Sequence, residues 1–172
     1  YLYRLDSDRL LHMFRVTAGL PSSAQPLGGW EAPNMEIRGH TMGHYLSACA
    51  MLYASTGDEE IKAKADAIVA ELEKCQQALG GKYLSAYPET LFDRLESGQG
   101  AWVPWYSMHK IFAGLLDMYV HAGNEKALEI LINLTDWAKG RIDKLSDEDM
   151  ARILRVEFGG MNEVLYNLYE IT

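Results

Sequence analysis

The 172-residue sequence predicts an all-α fold of stacked helical hairpins, the arrangement found in an α/α toroid. Two observations lead to this fold class. Apolar residues recur at steps of three and four along most of the chain, so we expect at least about 60% helix. In addition, helices that are apolar around most of their circumference alternate with helices that are apolar on one face. Strand is expected only as short pieces between residues 83 and 102. An open solenoid of hairpins fits the same pattern.

Amphipathic helices are predicted in three main places. An opening helix covers roughly residues 4–18. A second one, over residues 59–79, follows Asp58, which is a good N-cap residue. A third covers residues 124–142, and a short helix then begins with a capping box at Ser146. Each of these helices has one apolar stripe to bury, so each is expected on the outside of the fold.

Two further helices, over residues 40–55 and 108–121, carry small or apolar residues on most sides and are expected inside. They end in an internal repeat, in which residues 51–58 resemble residues 117–124. In both copies a Gly ends the buried helix and an Asp or Asn begins the next. A third copy over 167–172 stops where the Gly is due. We therefore expect residues 1–172 to be the N-terminal portion of one larger helical domain, truncated at its C-terminus.

Composition and charge exclude several classes of partner. Hydrophobic residues make up 48% and charged residues 23% of the chain, which is ordinary for a globular protein. The net charge is −8 and the basic residues are scattered, so no nucleic-acid surface is predicted. A neutral substrate suits this charge better than an anionic one. The apolar runs are too short for a membrane span.

Cys49 and Cys75 lie inside helical stripes and are interpreted as buried thiols, with a disulfide as the alternative.

Three segments rich in glycine or aromatic residues lead into buried helices, at residues 28–40, 102–110 and 157–163. If these helices run in the same direction, the three segments meet at one end of the fold. That end would offer aromatic faces, imidazoles, an amide and carboxylates. Flat apolar surfaces combined with polar groups are what a sugar site needs. We therefore predict a sugar site at this end.

The individual candidates have competing interpretations. His40 and His44 share a helix face and could contact a sugar, ligate a metal or pack at a helix start, although HTMGH lacks the HExxH glutamate. His109 follows two tryptophans and a tyrosine, which favours a polar site. The other candidates could equally be structural: Trp102 and Trp105 as loop anchors, and Glu157, Asn162 and Glu163 as helix caps. Paired carboxylates catalyse glycoside hydrolysis, so Glu157 and Glu163 are weak catalytic candidates.

Four blocks of this sequence resemble successive blocks of glycoside hydrolase family 127 and the related family 146. They are GGWEAP, RGHTMGHYLSACAMLYASTGD, WVPWYSMHKIFAGLLDMY and EFGGMNEVLYNLYEIT, at residues 28–33, 38–58, 102–119 and 157–172. The resemblance runs essentially end to end. Four motifs in order are far more specific than any one of them. Some members of the family have His where Phe158 stands in this chain.

The resemblance implies an (α/α)6 barrel, of which this chain supplies about the first half. It implies a bacterial-type hydrolase that acts on β-L-arabinofuranosides of plant-derived glycans with retention of configuration. The family uses a cysteine nucleophile on a zinc ion held by a glutamate and three cysteines, and a separate glutamate as general acid/base. Those residues lie beyond the last block, and Cys49 and Cys75 do not match them. We therefore expect no catalytic residue and no bound zinc in this chain, and the remaining half of the barrel as its partner.

From the resemblance we assign only substrate contacts, namely His40, His44, Trp105, His109, Glu157 and Asn162. Two other kinds of protein remain as alternatives. One is a binding or scaffold module made of helical hairpins, which would expose a long concave groove. The other is an α/α-barrel enzyme with a different sugar reaction, such as an epimerase or a lyase, since fold alone does not determine chemistry.

Overall fold

The computed structural model describes all residues, 1–172, and its regular secondary structure consists of helices alone. Its α-helices are α1 (Ser7–Thr17), α2 (His40–Thr56), α3 (Glu59–Ala78), α4 (Thr90–Glu96), α5 (Pro104–Ala122), α6 (Glu125–Ile142), α7 (Asp147–Leu154) and α8 (Gly160–Ile171). They contain about two thirds of the chain, and short 3-10 helices cover Leu2–Arg4 and Gly29–Glu31. The predicted all-α class is confirmed. None of the helices combines the length and the apolar character needed to span a membrane.

The helices form two layers around one hydrophobic core. Helices α2, α5 and α8 lie side by side, while α1, α3 and α6 pack against the outside of α2 and α5 and against one another. Helices α3 and α6 each bury one apolar stripe, as the sequence pattern predicts. Alternating inner and outer helices are the construction of an α/α toroid. The short helices α4 and α7 lie in the long connections that lead to α5 and α8.

Two glycines let α2 and α5 pack with their backbones in contact. A Cβ atom built on Gly43 would lie 1.8 Å from the carbonyl oxygen of Lys110. One built on Gly114 would lie 2.5 Å from the carbonyl oxygen of Gly43. Since Gly43 faces Lys110 while Ser107 bonds Ile37 upstream, the two helices run in the same direction. This parallel packing brings their N-terminal ends together.

The internal repeat corresponds to the turn between an inner and an outer helix. Gly57 and Gly123 both adopt the left-handed conformation, with φ of 71° and 67°, and end α2 and α5. The next residues, Asp58 and Asn124, accept hydrogen bonds from the first turns of α3 and α6. Both predicted caps are confirmed. The repeat therefore encodes one hairpin turn used twice.

The strand pieces expected between residues 83 and 102 are absent, and that prediction is wrong. The segment is held instead by side chains: the hydroxyl of Tyr83 donates to the carbonyl of Tyr87, and the Tyr87 hydroxyl donates to the carbonyl of Pro104. No neighbouring strand is available to pair with it. Helix α4 follows, and Arg141 of α6 binds three of its flanking or internal carboxylates, including that of Glu96 at 2.7 Å.

Candidate functional site

The N-terminal ends of α2, α5 and α8 meet at one end of the molecule. The Tyr106 ring, in the first turn of α5, lies 6.1 Å from the ring of His40 at the start of α2. The backbone N–H of Tyr106 donates to Oε2 of Glu157, just before α8, at 2.9 Å. At the start of α8, Gly160 lies so close to the His109 ring that a Cβ would approach it to 2.3 Å. The three segments singled out in the sequence therefore converge.

A cavity of about 670 Å³ opens between the start of α5, helix α7 and the start of α8. Its polar lining comes from Tyr106, His109, Lys110, Glu157 and Asn162. Most of the remaining lining is apolar and comes from the end of α6 and from the segment around α7. A volume of this size, with a few polar groups on an apolar wall, is typical of a small-molecule site.

His40 and His44 lie beside this cavity and do not line it. His40 contacts it through Tyr106, and the His44 ring stands edge-on to the His40 ring at 6.0 Å between centroids. Trp30 is 64% exposed and its ring centroid is 6.3 Å from that of His40. The same end of the molecule thus carries two adjoining groups of polar side chains, with Tyr106 between them.

The pKa values of the three histidines at this end are shifted in different directions. Partial burial and the nearby Lys110 ammonium lower the pKa of His44 and of His109. The hydrogen bond to Glu31 raises the pKa of His40 and outweighs the opposing effect of burial. Lys110 lies 4.8 Å above the Tyr106 ring, a cation–π contact. Protonation of the ring is therefore easier at His40 than at His44 or His109, and each ring offers one N–H and one lone pair while it is neutral.

Glu157 is the most unusual carboxylate of the site. It is only 8% exposed, and Oε2 accepts the Tyr106 N–H. Its other oxygen, Oε1, is buried and has no hydrogen-bond partner. Burial raises the pKa of Glu157 to about 7, although backbone N–H groups of α5 act in the opposite direction. Glu157 therefore caps α5 through Oε2 and leaves Oε1 without a partner. A buried oxygen without a partner favours a bound proton or a hydrogen-bond donor from a ligand.

The remaining predicted residues occupy different environments. Trp105 is largely buried and packs against Phe92 and Trp137, with ring centroids 4.9 and 6.0 Å away, so only its edge reaches the cavity. Asn162 is exposed and lines the cavity, whereas Glu163 is exposed and is not part of the lining. The exposed Phe158 ring, at a position where some relatives have His, also lines the cavity.

The whole chain, residues 1–172, matches the family model described as beta-L-arabinofuranosidase, GH127 catalytic domain. The chain belongs to glycoside hydrolase family 127. A comparison with curated proteins gave no match. The family match agrees with the resemblance of the four sequence blocks. The converging ends of α2, α5 and α8 therefore belong to a glycosidase catalytic domain.

The side chains of this family 127 chain do not fit the zinc ion that the family resemblance implies. Cys49 and Cys75 are buried free thiols on different helices, and burial raises the pKa of both, that of Cys75 to about 11. A cysteine binds zinc as the thiolate, which such surroundings disfavour. No group of three or more His, Cys, Asp or Glu side chains is placed to hold a metal ion.

Sequence reasoning missed three residues of the candidate site. Tyr106 and Lys110 lie close to His109 in the sequence. Only the pairing of α2 with α5 shows that the Tyr106 ring approaches His40 and that the Lys110 ammonium lies over Tyr106. Glu31 binds His40 from nine positions away. Its presence in GGWEAP, shortly before His40, was the available signal, but no periodic pattern connects a carboxylate in a 3-10 turn to a helix nine residues later.

Proposed function

We propose that this chain forms the sugar-binding end of a β-L-arabinofuranosidase that acts on β-L-arabinofuranosides of plant-derived glycans. The observation that carries the proposal is the cavity between α5, α7 and α8 in a chain that matches the family 127 catalytic domain along its whole length. His109, Asn162 and Glu157 are the principal hydroxyl contacts. His40 and His44 bind from the adjoining side of Tyr106, and Trp105 supplies an apolar edge.

The chemistry of the cavity supports a neutral, hydroxyl-rich ligand. Sugar hydroxyls both donate and accept, and this end combines neutral imidazoles, an amide and a buried carboxyl group with aromatic surface. The net charge of −8 disfavours an anionic glycan. A hairpin scaffold would present a long groove, whereas the polar side chains at the starts of α5 and α8 here gather around one cavity, with His40 and His44 beside it.

We further propose that the catalytic groups come from a remaining half of the barrel outside this chain. Tyr166 and Tyr169 on α8 are 74% and 78% exposed, and such aromatic surface suits a face that another helix covers. Glu157 is a poor nucleophile because it is buried and bound to the start of α5. Zinc and the thiolate nucleophile would come from that other half, as the family resemblance implies.

The direct test is hydrolysis of 4-nitrophenyl β-L-arabinofuranoside by the full-length gene product. We expect turnover, and we expect His109→Ala to lower kcat/KM by at least about tenfold because a contact to the sugar is lost. His12→Ala is the matched control, since His12 lies on α1, bonds Ser22 in the loop that follows α1, and does not line the cavity. Absence of hydrolysis by the wild type, or unchanged kcat/KM in His109→Ala, contradicts the proposal.

The 172-residue chain alone is expected to release no arabinose and to bind no zinc tightly. Its own side chains supply neither an assigned nucleophile nor a convergent ligand set. The measurement is arabinose release with and without a zinc chelator. Turnover that persists in the chelator would mean that Glu157 and Glu163 act as the catalytic pair.

A further inference from the structure

The surroundings of His40 fix which of its ring nitrogens carries a proton. Nδ1 lies 2.7 Å from Oε1 of Glu31 and 2.9 Å from the carbonyl oxygen of Ile37. An ionised carboxylate and a backbone carbonyl only accept hydrogen bonds, so Nδ1 must be the donor in either charge state of the ring. The other nitrogen, Nε2, has no hydrogen-bond partner in the protein. Nε2 is therefore the nitrogen left for a ligand.

Glu31 is itself held rigidly by the start of α2. Its Oε2 accepts the N–H of Gly39 at 2.6 Å, and its Oε1 accepts the N–H of Thr41 at 2.9 Å. A helix N-terminus favours an anion in this position. Burial opposes the charge, but the hydrogen bonds from His40 and the two backbone groups hold the pKa of Glu31 below its ordinary value. Glu31 is thus a fixed, ionised partner for His40.

We propose that Glu31 is a positioning residue of the sugar site, which holds the His40 ring by Nδ1 and makes Nε2 the atom offered to the sugar. The inference rests on the proposed function, since it assumes that His40 contacts a furanoside. Glu31 acts through His40 and touches no sugar itself.

The charged and titratable groups that face His40 explain why Glu31 matters. His44 stands beside it on α2, and Lys110 and Tyr106 approach it from α5. Lys110 disfavours a proton on His40, and Glu31 is the carboxylate that opposes it. With Glu31 present, Nε2 is protonated more readily than the neighbouring His44, whose pKa is lowered. Nε2 of His40 therefore accepts from a sugar hydroxyl when the ring is neutral and donates to one when the ring is protonated.

The test is NMR of the protein labelled with ¹³C and ¹⁵N in histidine, titrated with acid and base. In the wild type we expect the neutral His40 ring to carry its proton on Nδ1, and its pKa to exceed those of His44 and His109. In Glu31→Gln we expect the pKa of His40 to fall below the wild-type value. A general loss of structure would change the pKa values of several histidines, and not that of His40 alone.

Glu36→Gln is the matched control. Glu36 also accepts a backbone N–H, that of Trp102 at 2.6 Å, and pairs with Arg94, but it does not bind a histidine. We expect Glu36→Gln to leave the pKa of His40 unchanged. An unchanged pKa of His40 in Glu31→Gln overturns the proposal. If Glu31→Gln does not fold, the wild-type tautomer decides, because a neutral ring protonated on Nε2 contradicts the geometry.

A binding measurement separates this inference from the proposed function. We expect Glu31→Gln to weaken the affinity for methyl β-L-arabinofuranoside about tenfold relative to Glu36→Gln, because the His40 ring loses the carboxylate that fixes its orientation. If the wild type binds no furanoside, the proposed function fails, while the tautomer and the pKa of His40 still decide the role of Glu31. If the sugar binds equally to both variants, Glu31 does not position a sugar contact.

Discussion

At the scale of single residues, the site is built from carboxylates that bind the first turns of inner helices. Glu31 accepts N–H groups of α2 and Glu157 accepts one of α5. The inner helices α2 and α5 begin at a glycine or proline segment and have no local capping side chain. The backbone N–H groups of their first turns therefore need acceptors from elsewhere in the chain. The partner also fixes a neighbouring aromatic or imidazole ring. The same carboxylates therefore cap the inner helices and position the side chains of the site.

The ionisation of Glu157 should make stability depend on pH. Its pKa is about 7 in the folded chain against an ordinary value of 4.5, so the folded state holds a proton that the unfolded state has lost. Stability therefore falls as pH rises between about 4.5 and 7, by up to about 3 kcal/mol from this group. Glu157→Gln keeps an acceptor for Tyr106 but cannot ionise. We expect its unfolding free energy to lose less than that of the wild type between pH 5 and 8.

Urea unfolding at the two pH values measures this difference. Glu163→Gln is the control, because Glu163 is exposed in the first turn of α8. It should retain the full pH dependence of the wild type. The same pH dependence in Glu157→Gln as in the wild type would show that Glu157 titrates normally.

At the scale of helices, sequence and structure agree where the information is local. The caps at Asp58, Asn124 and Ser146 are confirmed because each acts within three residues of itself. Helix α5 begins at Pro104, earlier than the predicted residue 108, since its aromatic first turn has no periodic signal. The contact of Glu157 with Tyr106 spans 51 positions and depends on how α8 packs, so no local pattern reveals it.

The contact between α2 and α5 predicts opposite effects for alanine at two helical glycines. At Gly43 the added Cβ would lie 1.8 Å from the Lys110 carbonyl oxygen, so the two helices must separate. We expect Gly43→Ala to lower the free energy of unfolding by about 3 kcal/mol or more. At the exposed Gly140 in α6 the Cβ meets no atom within 4 Å. Gly140→Ala should raise stability by about 0.5–1 kcal/mol through helix propensity.

Urea unfolding of the two variants beside the wild type checks this pair of predictions. Both replace a glycine inside a helix, so they share the effect of alanine on the unfolded chain. The difference between them reports the contact between the backbones of α2 and α5. Equal stability of the two variants would mean that α2 and α5 are not packed this closely.

At the scale of the whole molecule, parallel inner helices gather loop residues at one end. The sequence predicted this convergence from three glycine-rich or aromatic segments and the alternation of helix types, and the contacts among Tyr106, His109 and Glu157 agree with it. The division of the site around Tyr106 was not predictable, because it depends on side chains of two helices that meet only in the fold. The long connection that carries α7 supplies most of the apolar wall of the cavity, and α4 in the other long connection packs against α7.

The central claim is that this end of the molecule binds a β-L-arabinofuranoside, and equilibrium binding observed at the histidines tests it most directly. The measurement is titration of the histidine-labelled protein with methyl β-L-arabinofuranoside, with the D-enantiomer as control. We expect saturable shifts of the His109 resonance with the L-sugar, smaller shifts with the D-sugar, and a dissociation constant at least about tenfold weaker in Asn162→Ala. The account is contradicted if the L-sugar shifts no histidine of this site, or if both enantiomers bind alike.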